Sequence, residues 1–556
     1  MFNKISQFIQ KLQLDLFQFT LIKVDDDYLK QRLLHPSWIS KSYLLFFSIA
    51  TVISGEYSAW NMGLVNGWGS LFSAAIIANL YYWCLLLCLA ELSTAMPFSG
   101  GQLTFVAATM GNVFAYIVGF TVFMQFLLLY SQTALVVGDF YMTLAGLTNQ
   151  QMEYYQYFVN LIVILFCSAI ATDLKLFCRV VWGLTAISII MIVVVLILMI
   201  PKFHLGAFQM NLGFDNGPFL NNGITGIFQS IPYAIWLFIG IECTPNLAEE
   251  VDDVETTIPA SMLGGFGVLT LLASISMVLV GCNPGIQDLE GAIYPLNDLL
   301  FANYNVDPNS ATGVFFKWIM SFGITVSTLG CMMGCIRLVY ALSRGGYFPH
   351  YLSLTCQSRA KGSFANGTPL FAIAGSAVAA YGMMIVTFLL DSTPVGSFLV
   401  YGSAFYGLIA GMFTFASYLI LKVRSPSLKR PFSLKYSVIS YTVPIIGLVL
   451  SIISIGGCFS ADANNTILLY IMVIQVILSL IYYIFVVRKR LVLSADQKFI
   501  RAQIAKIKMN SIQKEREMHT NSRKEGVTSI TSKTQRLFTL DKPAATKKIN
   551  EHELPR

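Results

Sequence analysis

A stretch of about twenty mostly apolar residues recurs some twelve times along this chain, and that repetition limits its fold more than any other feature. A helix of that length spans about 30 Å, the thickness of a bilayer's hydrocarbon layer. The runs cover approximately residues 42–66, 69–95, 113–141, 156–172, 180–200, 224–247, 261–282, 314–342, 370–390, 397–421, 440–459 and 466–487. In hydrocarbon a backbone satisfies its own polar groups only as a helix or a closed barrel, and continuous runs this long specify helices. The expected fold is an all-α polytopic membrane protein of about 12 transmembrane helices. Composition agrees: of 556 residues, 55% are hydrophobic and 12% charged, whereas a soluble domain has about 25% charged residues. A disordered chain, a collagen-like chain and a disulfide scaffold are excluded.

Charge divides the chain into three parts: residues 1–41, 42–487 and 488–556. The total of +7 is the sum of +2, −5 and +10 over these parts, so the basicity belongs to the tail, with 17 Lys/Arg against 7 Asp/Glu. The first apolar run begins only near Tyr43, behind mostly polar residues, which is not the layout of a cleaved signal peptide; the N-terminal segment is expected to be retained. Within it Phe2, Ile5, Phe8, Ile9, Leu12, Leu16 and Phe19 recur at helical spacing, an amphipathic pattern that suits either a membrane surface or a partner.

Twelve spans with the N-terminus inside place both termini and the loops 173–179, 248–260, 343–369 and 422–439 in the cytoplasm. Only Lys202 and Lys317 fall near outer ends of spans, while one inner loop holds Lys422, Arg424, Lys429, Arg430 and Lys435. The positive-inside rule supports this orientation; the expected location is a cell membrane, plasma or bacterial inner, and a eukaryotic endomembrane also fits the composition. Of the two sequons, Asn464-Asn465-Thr466 then lies outside and Asn366-Gly367-Thr368 inside, so only the first is open to glycosylation, and only in a eukaryote. No nucleic-acid motif accompanies the tail. Its run Arg488-Lys489-Arg490 directly follows a span, which suits an anionic lipid surface, and the rest reads as a solvated, disordered segment or a partner-binding one.

No cofactor or metal is expected. All five histidines, His35, His204, His350, His519 and His552, lie outside the spans. Cys84/Cys88 and Cys331/Cys335 have helical i,i+4 spacing but no companion histidine or second cysteine pair. The ten cysteines therefore read as small packing residues.

Charge inside a span is expensive and marks candidate function. Two carboxylates share a context: Ser54-Gly55-Glu56-Tyr57 interrupts the first span, and Ile239-Gly240-Ile241-Glu242-Cys243-Thr244-Pro245 the sixth. Glycine and proline weaken a membrane helix, and the freed N–H and C=O groups must then face protein, water or ligand. Breaks in spans one and six, five spans apart, are the pattern of two inverted five-span repeats whose broken helices meet at mid-membrane. The bland alternative for each glutamate is a hydrogen bond to a neighbouring span.

Four stretches together resemble the amino acid–polyamine–organocation superfamily of secondary transporters: Ser54-Gly55-Glu56; Glu91 to Gly101, Glu-Leu-Ser-Thr-Ala-Met-Pro-Phe-Ser-Gly-Gly; Trp236 to Glu242 with Ala248-Glu249-Glu250; and Arg337 to Pro349. The resemblance covers about residues 40–490. It implies that Ser54, Gly55, Glu56, Tyr57, Trp236, Gly240, Ile241 and Glu242 bind substrate. It further implies that Trp236 is an aromatic gate and Glu242 an acid linked to protonation and gating. The Glu91 and Arg337 stretches match motifs that hold the scaffold and inner gate. Within the superfamily, Ser54 to Asn61 looks most like ethanolamine permeases, which carry an acid after the same Ser-Gly; typical amino acid permeases have a small residue at that place. The loop Asp252-Asp253-Val254-Glu255 departs from the Pro-x-Arg frequent in the family.

A carboxylate at position 56 would attract an ammonium and repel a nearby substrate carboxylate, by a few kcal/mol at most at an effective dielectric near 20. The expected substrate is thus an amine or a cationic amino acid, moved by alternating access. Tyr57, Trp60 and Trp236 offer faces to a cation, although Tyr57 and Trp60 equally suit packing. The coupling ion is a proton or sodium. A fifth-span lysine of the kind some family members use for protons is missing from Val180 to Ile200. Ser327 and Thr328 in span eight would serve sodium, or else bond their own backbone. No nucleophile or metal constellation supports an enzyme. A nutrient sensor built on a transporter fold, signalling through the tail, is the alternative. The expected partners are a small-molecule substrate and the lipid membrane, with no nucleic acid; the oligomeric state is left open.

Overall fold

A computed structural model of the chain describes residues 32–34, 38–207, 223–283, 286–292, 294–356, 367–389, 395–424, 428–434, 437–459 and 463–492. The amphipathic pattern of residues 2–19, Asn366 of the inner sequon and nearly all of the basic tail lie outside these residues, as do the side chains of Asn464, Asn465 and Thr466.

The described residues are helical almost throughout, with one isolated parallel bridge between Ile39 and Val251. The first span is not one helix. Its pieces are α1 (Lys41–Ala50), the short α2 (Ser54–Tyr57) and a tightly wound turn, Trp60–Asn66. Then come α3 (Trp68–Ala95), α4 (Gln102–Thr109), α5 (Asn112–Leu144), α6 (Asn149–Ala171), α7 (Leu174–Met199) and α8 (Gly223–Trp236). A tight helical segment Ile241–Glu250 continues the sixth span beyond its break. The remainder is α9 (Val254–Gly281), α10 (Pro295–Tyr304), α11 (Ala311–Arg344), α12 (Leu370–Leu389), α13 (Val395–Arg424), α14 (Ser437–Cys458) and α15 (Ala463–Phe485).

Among the described residues eleven helices are long and apolar enough to cross a membrane, the two halves of the sixth span counting as one. The broken first span, whose pieces are individually too short, supplies the twelfth expected segment. Two elements the apolar pattern does not show, α4 and α10, are short helices in the connections.

Packing separates centre from rim. α11 is enclosed between α5, α7 and α12, and its side chains from Val326 to Arg344 are all buried. The outward faces of four helices carry exposed apolar side chains instead: Phe158, Leu165 and Phe166 on α6, Ile190 and Ile197 on α7, Val449 and Ile452 on α14, Ile474 and Leu478 on α15. Contiguous apolar surface on this scale is a liability in water and the ordinary surface of a protein in lipid. All ten cysteines are free thiols and nine are buried.

Candidate functional site

The two breaks face one another. In the first span α1 stops at Ala50, Ser58 is fully extended at φ −158°, and Ala59 takes the left-handed conformation at φ +74°. A non-glycine residue there is strained by about 1–2 kcal/mol, and such strain persists only where the surroundings hold it. In the sixth span α8 ends at Trp236 and the chain reverses its winding at Gly240, φ +114°. A side chain at Gly240 would meet the carbonyl oxygen of Thr51 at 2.7 Å, and one at Gly55 would meet that of Trp236 at 2.5 Å. Backbone thus lies against backbone at both breaks, an approach that only glycine permits.

Several of the freed backbone groups find side-chain partners close by. The Ser327 hydroxyl on α11 donates to the Ala50 carbonyl at 2.7 Å and accepts from the Ser54 N–H at 2.9 Å, bridging the first break. The Cys331 thiol donates to the Thr51 carbonyl at 3.5 Å. In the sixth span the Gly240 N–H donates to Glu242 Oε2 at 2.9 Å, and Glu242 Oε1 accepts from the side-chain amide of Gln125 on α5. The Ser48 and Thr244 hydroxyls, 3.0 Å apart, tie the two broken spans together.

The candidate residues fall into distinct environments. Ser54, Gly55, Trp236, Gly240 and Ile241 line the opposed breaks and are buried. Glu242 reaches back across its own break to span three, so its carboxylate takes part in the hydrogen bonding of the broken helix. Tyr57 donates to the Ser188 carbonyl of α7 at 2.8 Å and its ring covers Gly323 of α11; it anchors the first-span break between two helices. Thr328 donates to Ile324 of its own helix at 3.1 Å, the local bond that competes with sodium coordination. Trp60 is buried, and Asn61 donates to the carbonyls of Leu289 and Ala292 at 2.6 and 2.8 Å, fastening an end loop to the broken span.

Glu56 differs from all of these. It is 1% exposed, and neither carboxylate oxygen has a hydrogen-bond partner. Among the described residues no lysine or arginine pairs with it, whereas Glu91, Glu249 and Glu250 are all paired with cations.

Those pairs close one end of the bundle. Glu250 holds Arg337 bidentately at 2.7 and 2.9 Å, with both side chains buried. Glu249 holds Arg344 at 2.6 and 2.8 Å and accepts from the Ser99 N–H at 2.9 Å. The Glu250 carbonyl also accepts from the N–H groups of Trp38 and Ile39, so the chain entering the first span is clamped to the end of the sixth. Glu91 pairs with Lys422 at 2.5 Å and Arg430 at 3.5 Å, and accepts from Tyr418 and the Leu434 N–H. Residues around both breaks are buried and this end is cross-linked. Sequence reasoning missed Gln125 and these specific pairings. Gln125 carries only the weak signal of an amide in an apolar run, and a pairing between spans six and eight has no local signature.

Comparison with known proteins bears on the same region. A family model described as amino acid permease matches residues 39–487. The methylthioribose transporter of Bacillus subtilis is 23% identical over 54% of this chain and 64% of its own length. A branched-chain amino acid permease of the same organism is 24% identical over 56% of this chain and 68% of its own. A chloroplastic cationic amino acid transporter of Arabidopsis thaliana is 24% identical over 47% and 46%. These matches span between about half and two thirds of the relatives' lengths.

Proposed function

The chain belongs to the amino acid permease family, and on that premise we propose that it is a secondary transporter, not an enzyme, moving an amine or a cationic amino acid by alternating access. Residues 42–487 form the transporting unit, with both termini cytoplasmic. The observation that carries the substrate class is Glu56, a buried carboxylate at the first break with no partner of its own. An ionised carboxylate held dry costs several kcal/mol unless a cation meets it. The substrate ammonium is that cation, while backbone groups of the opposed breaks, beside Trp236, take the rest of the molecule. Relatives named for methylthioribose, branched-chain and cationic amino acids support transport of small organic solutes without selecting among them.

In this reading the ion pairs Glu250–Arg337 and Glu249–Arg344 form the cytoplasmic gate. They must part for substrate to leave inward. Glu242, joined to Gln125 and to the Gly240 N–H, links substrate occupancy at the sixth break to spans three and six. The driving ion is a proton or sodium.

The test is uptake of labelled ethanolamine, arginine and alanine into proteoliposomes under separately imposed proton and sodium gradients. Glu56→Gln should lower ethanolamine and arginine uptake at least about tenfold and alanine uptake less than about twofold, the difference reflecting a lost charge pair. Equal loss for all three would refute the assignment of Glu56 to a net positive substrate charge, since alanine carries an ammonium but no net charge. Binding without movement of any solute would favour a sensor.

A further inference from the structure

We propose that Ser276 of α9 is the second acceptor of the ammonium subsite begun by Glu56, and that it makes the site selective for primary over methylated ammonium groups. The inference rests on the reading of the first-span break as the place where a substrate ammonium binds, and it adds a residue from span seven.

Its basis is a buried hydroxyl without a hydrogen-bond partner, a state it shares with Ser70, Ser99, Ser168, Ser343 and Ser376, but placed beside the Glu56 carboxyl. A serine within a helix ordinarily donates to the carbonyl four residues back. Ser274, two residues before Ser276 on the same helix, does so to Thr270 at 2.6 Å. Ser48, Ser131, Ser188 and Ser451 do the same at 2.8 Å. Ser276 is 5% exposed, and its Oγ has no partner. It stands beside the Glu56 carboxyl, yet no hydrogen bond closes between them. α9 packs directly on the short α2 that carries Glu56.

Three oxygens thus meet in one buried place, two from Glu56 and one from Ser276, and the one donor among them, the Ser276 O–H, closes no hydrogen bond. A buried acceptor without a donor is an exception in folded proteins and marks a missing partner. A primary ammonium brings three N–H donors, one for each oxygen. Each methyl group placed on the nitrogen removes a donor, and a trimethylammonium offers charge alone. Glu56 then answers the charge and Ser276 counts the hydrogens.

The experiment measures labelled ethanolamine uptake by the full-length protein in proteoliposomes, with competition by its N-methyl, N,N-dimethyl and N,N,N-trimethyl derivatives. Wild-type inhibition should weaken with each added methyl group. Ser276→Ala should raise KM for ethanolamine about tenfold, the loss expected for one hydrogen bond to a charged group, with kcat within about twofold. It should also flatten the methylation series. Ser276→Thr, which keeps the hydroxyl, should restore the wild-type order and rule out a mere folding defect. An unchanged series in Ser276→Ala, or a change confined to the sodium concentration that half-activates uptake, would overturn the assignment; the latter would mark a metal-ion site instead. Failure of the wild-type protein to carry any ammonium-bearing solute would overturn the underlying function as well, a distinct result from wild-type uptake that Ser276→Ala leaves unaltered.

Discussion

Replacing Ser327 with alanine removes one hydroxyl and leaves two backbone groups without a partner. That hydroxyl donates to the Ala50 carbonyl and accepts from the Ser54 N–H, both at the first break and both deep in the bundle. An orphaned buried polar group costs about 1–3 kcal/mol, so the two together set a cost of about 2–6 kcal/mol if the break stays dry. Thr328 is the internal control. It is the next residue on the same helix and equally buried, but its hydroxyl serves only Ile324 within α11, whose carbonyl keeps its helical hydrogen bond when the side chain is gone. Thr328→Ala should therefore cost less than about 1 kcal/mol. The assay is unfolding of the detergent-solubilised protein followed by intrinsic fluorescence, paired with uptake as a function of sodium concentration. Ser327→Ala should shift the unfolding midpoint clearly downward and Thr328→Ala hardly at all. Equal destabilisation by the two substitutions would refute the claim that Ser327 bridges the break. Equal loss of sodium activation by both would show instead that the two hydroxyls coordinate sodium together.

Two further outcomes are expected. Breaking the buried Glu250–Arg337 pair with Arg337→Ala should cost about 3–5 kcal/mol in the closed conformation, and in a variant retaining only Cys178, which lies near this pair, it should speed modification by a membrane-permeant thiol reagent; unchanged labelling would mean that this pair does not hold the end shut. Gly240→Ala should abolish uptake, because its Cβ would sit 2.7 Å from the Thr51 carbonyl at a φ of +114°. Gly267→Ala on α9, where nothing lies within 4 Å, should leave uptake near wild type, and similar effects of the two would argue against the close approach of the breaks.

Much of the fold is legible in the order of the residues. The apolar runs locate the spans to within about seven residues: 69–95 corresponds to Trp68–Ala95 and 224–247 to Gly223–Trp236 with its continuation to Glu250, while 156–172 and 261–282 begin seven residues inside Asn149–Ala171 and Val254–Gly281. The interruptions at Gly55 and Gly240 are equally legible, because glycine among apolar residues is a local property of the chain. The short α4 and α10 are not, since neither has the length or uniform hydropathy that marks a span.

The candidate site is legible in its membership more than in its contacts. Glu56 and Glu242 share a glycine-then-glutamate context, yet Glu242 is engaged by Gln125 and its own backbone while Glu56 has no partner. Ser276 and Ser274 sit two residues apart on one helix, and only the first lacks the bond to the preceding turn.

Length, hydropathy and the placing of glycine are properties of a segment. They suffice to make this chain a bundle of about twelve membrane helices with breaks in the first and sixth, because lipid allows few other ways to satisfy a backbone. Which carboxylate meets an arginine, which meets an amide and which meets nothing depends on side chains brought together from spans far apart in sequence, as Glu250 and Arg337 are. Tertiary packing alone selects those partners, because a hydrogen bond between helices depends on their rotation and depth relative to one another, and no single segment encodes either.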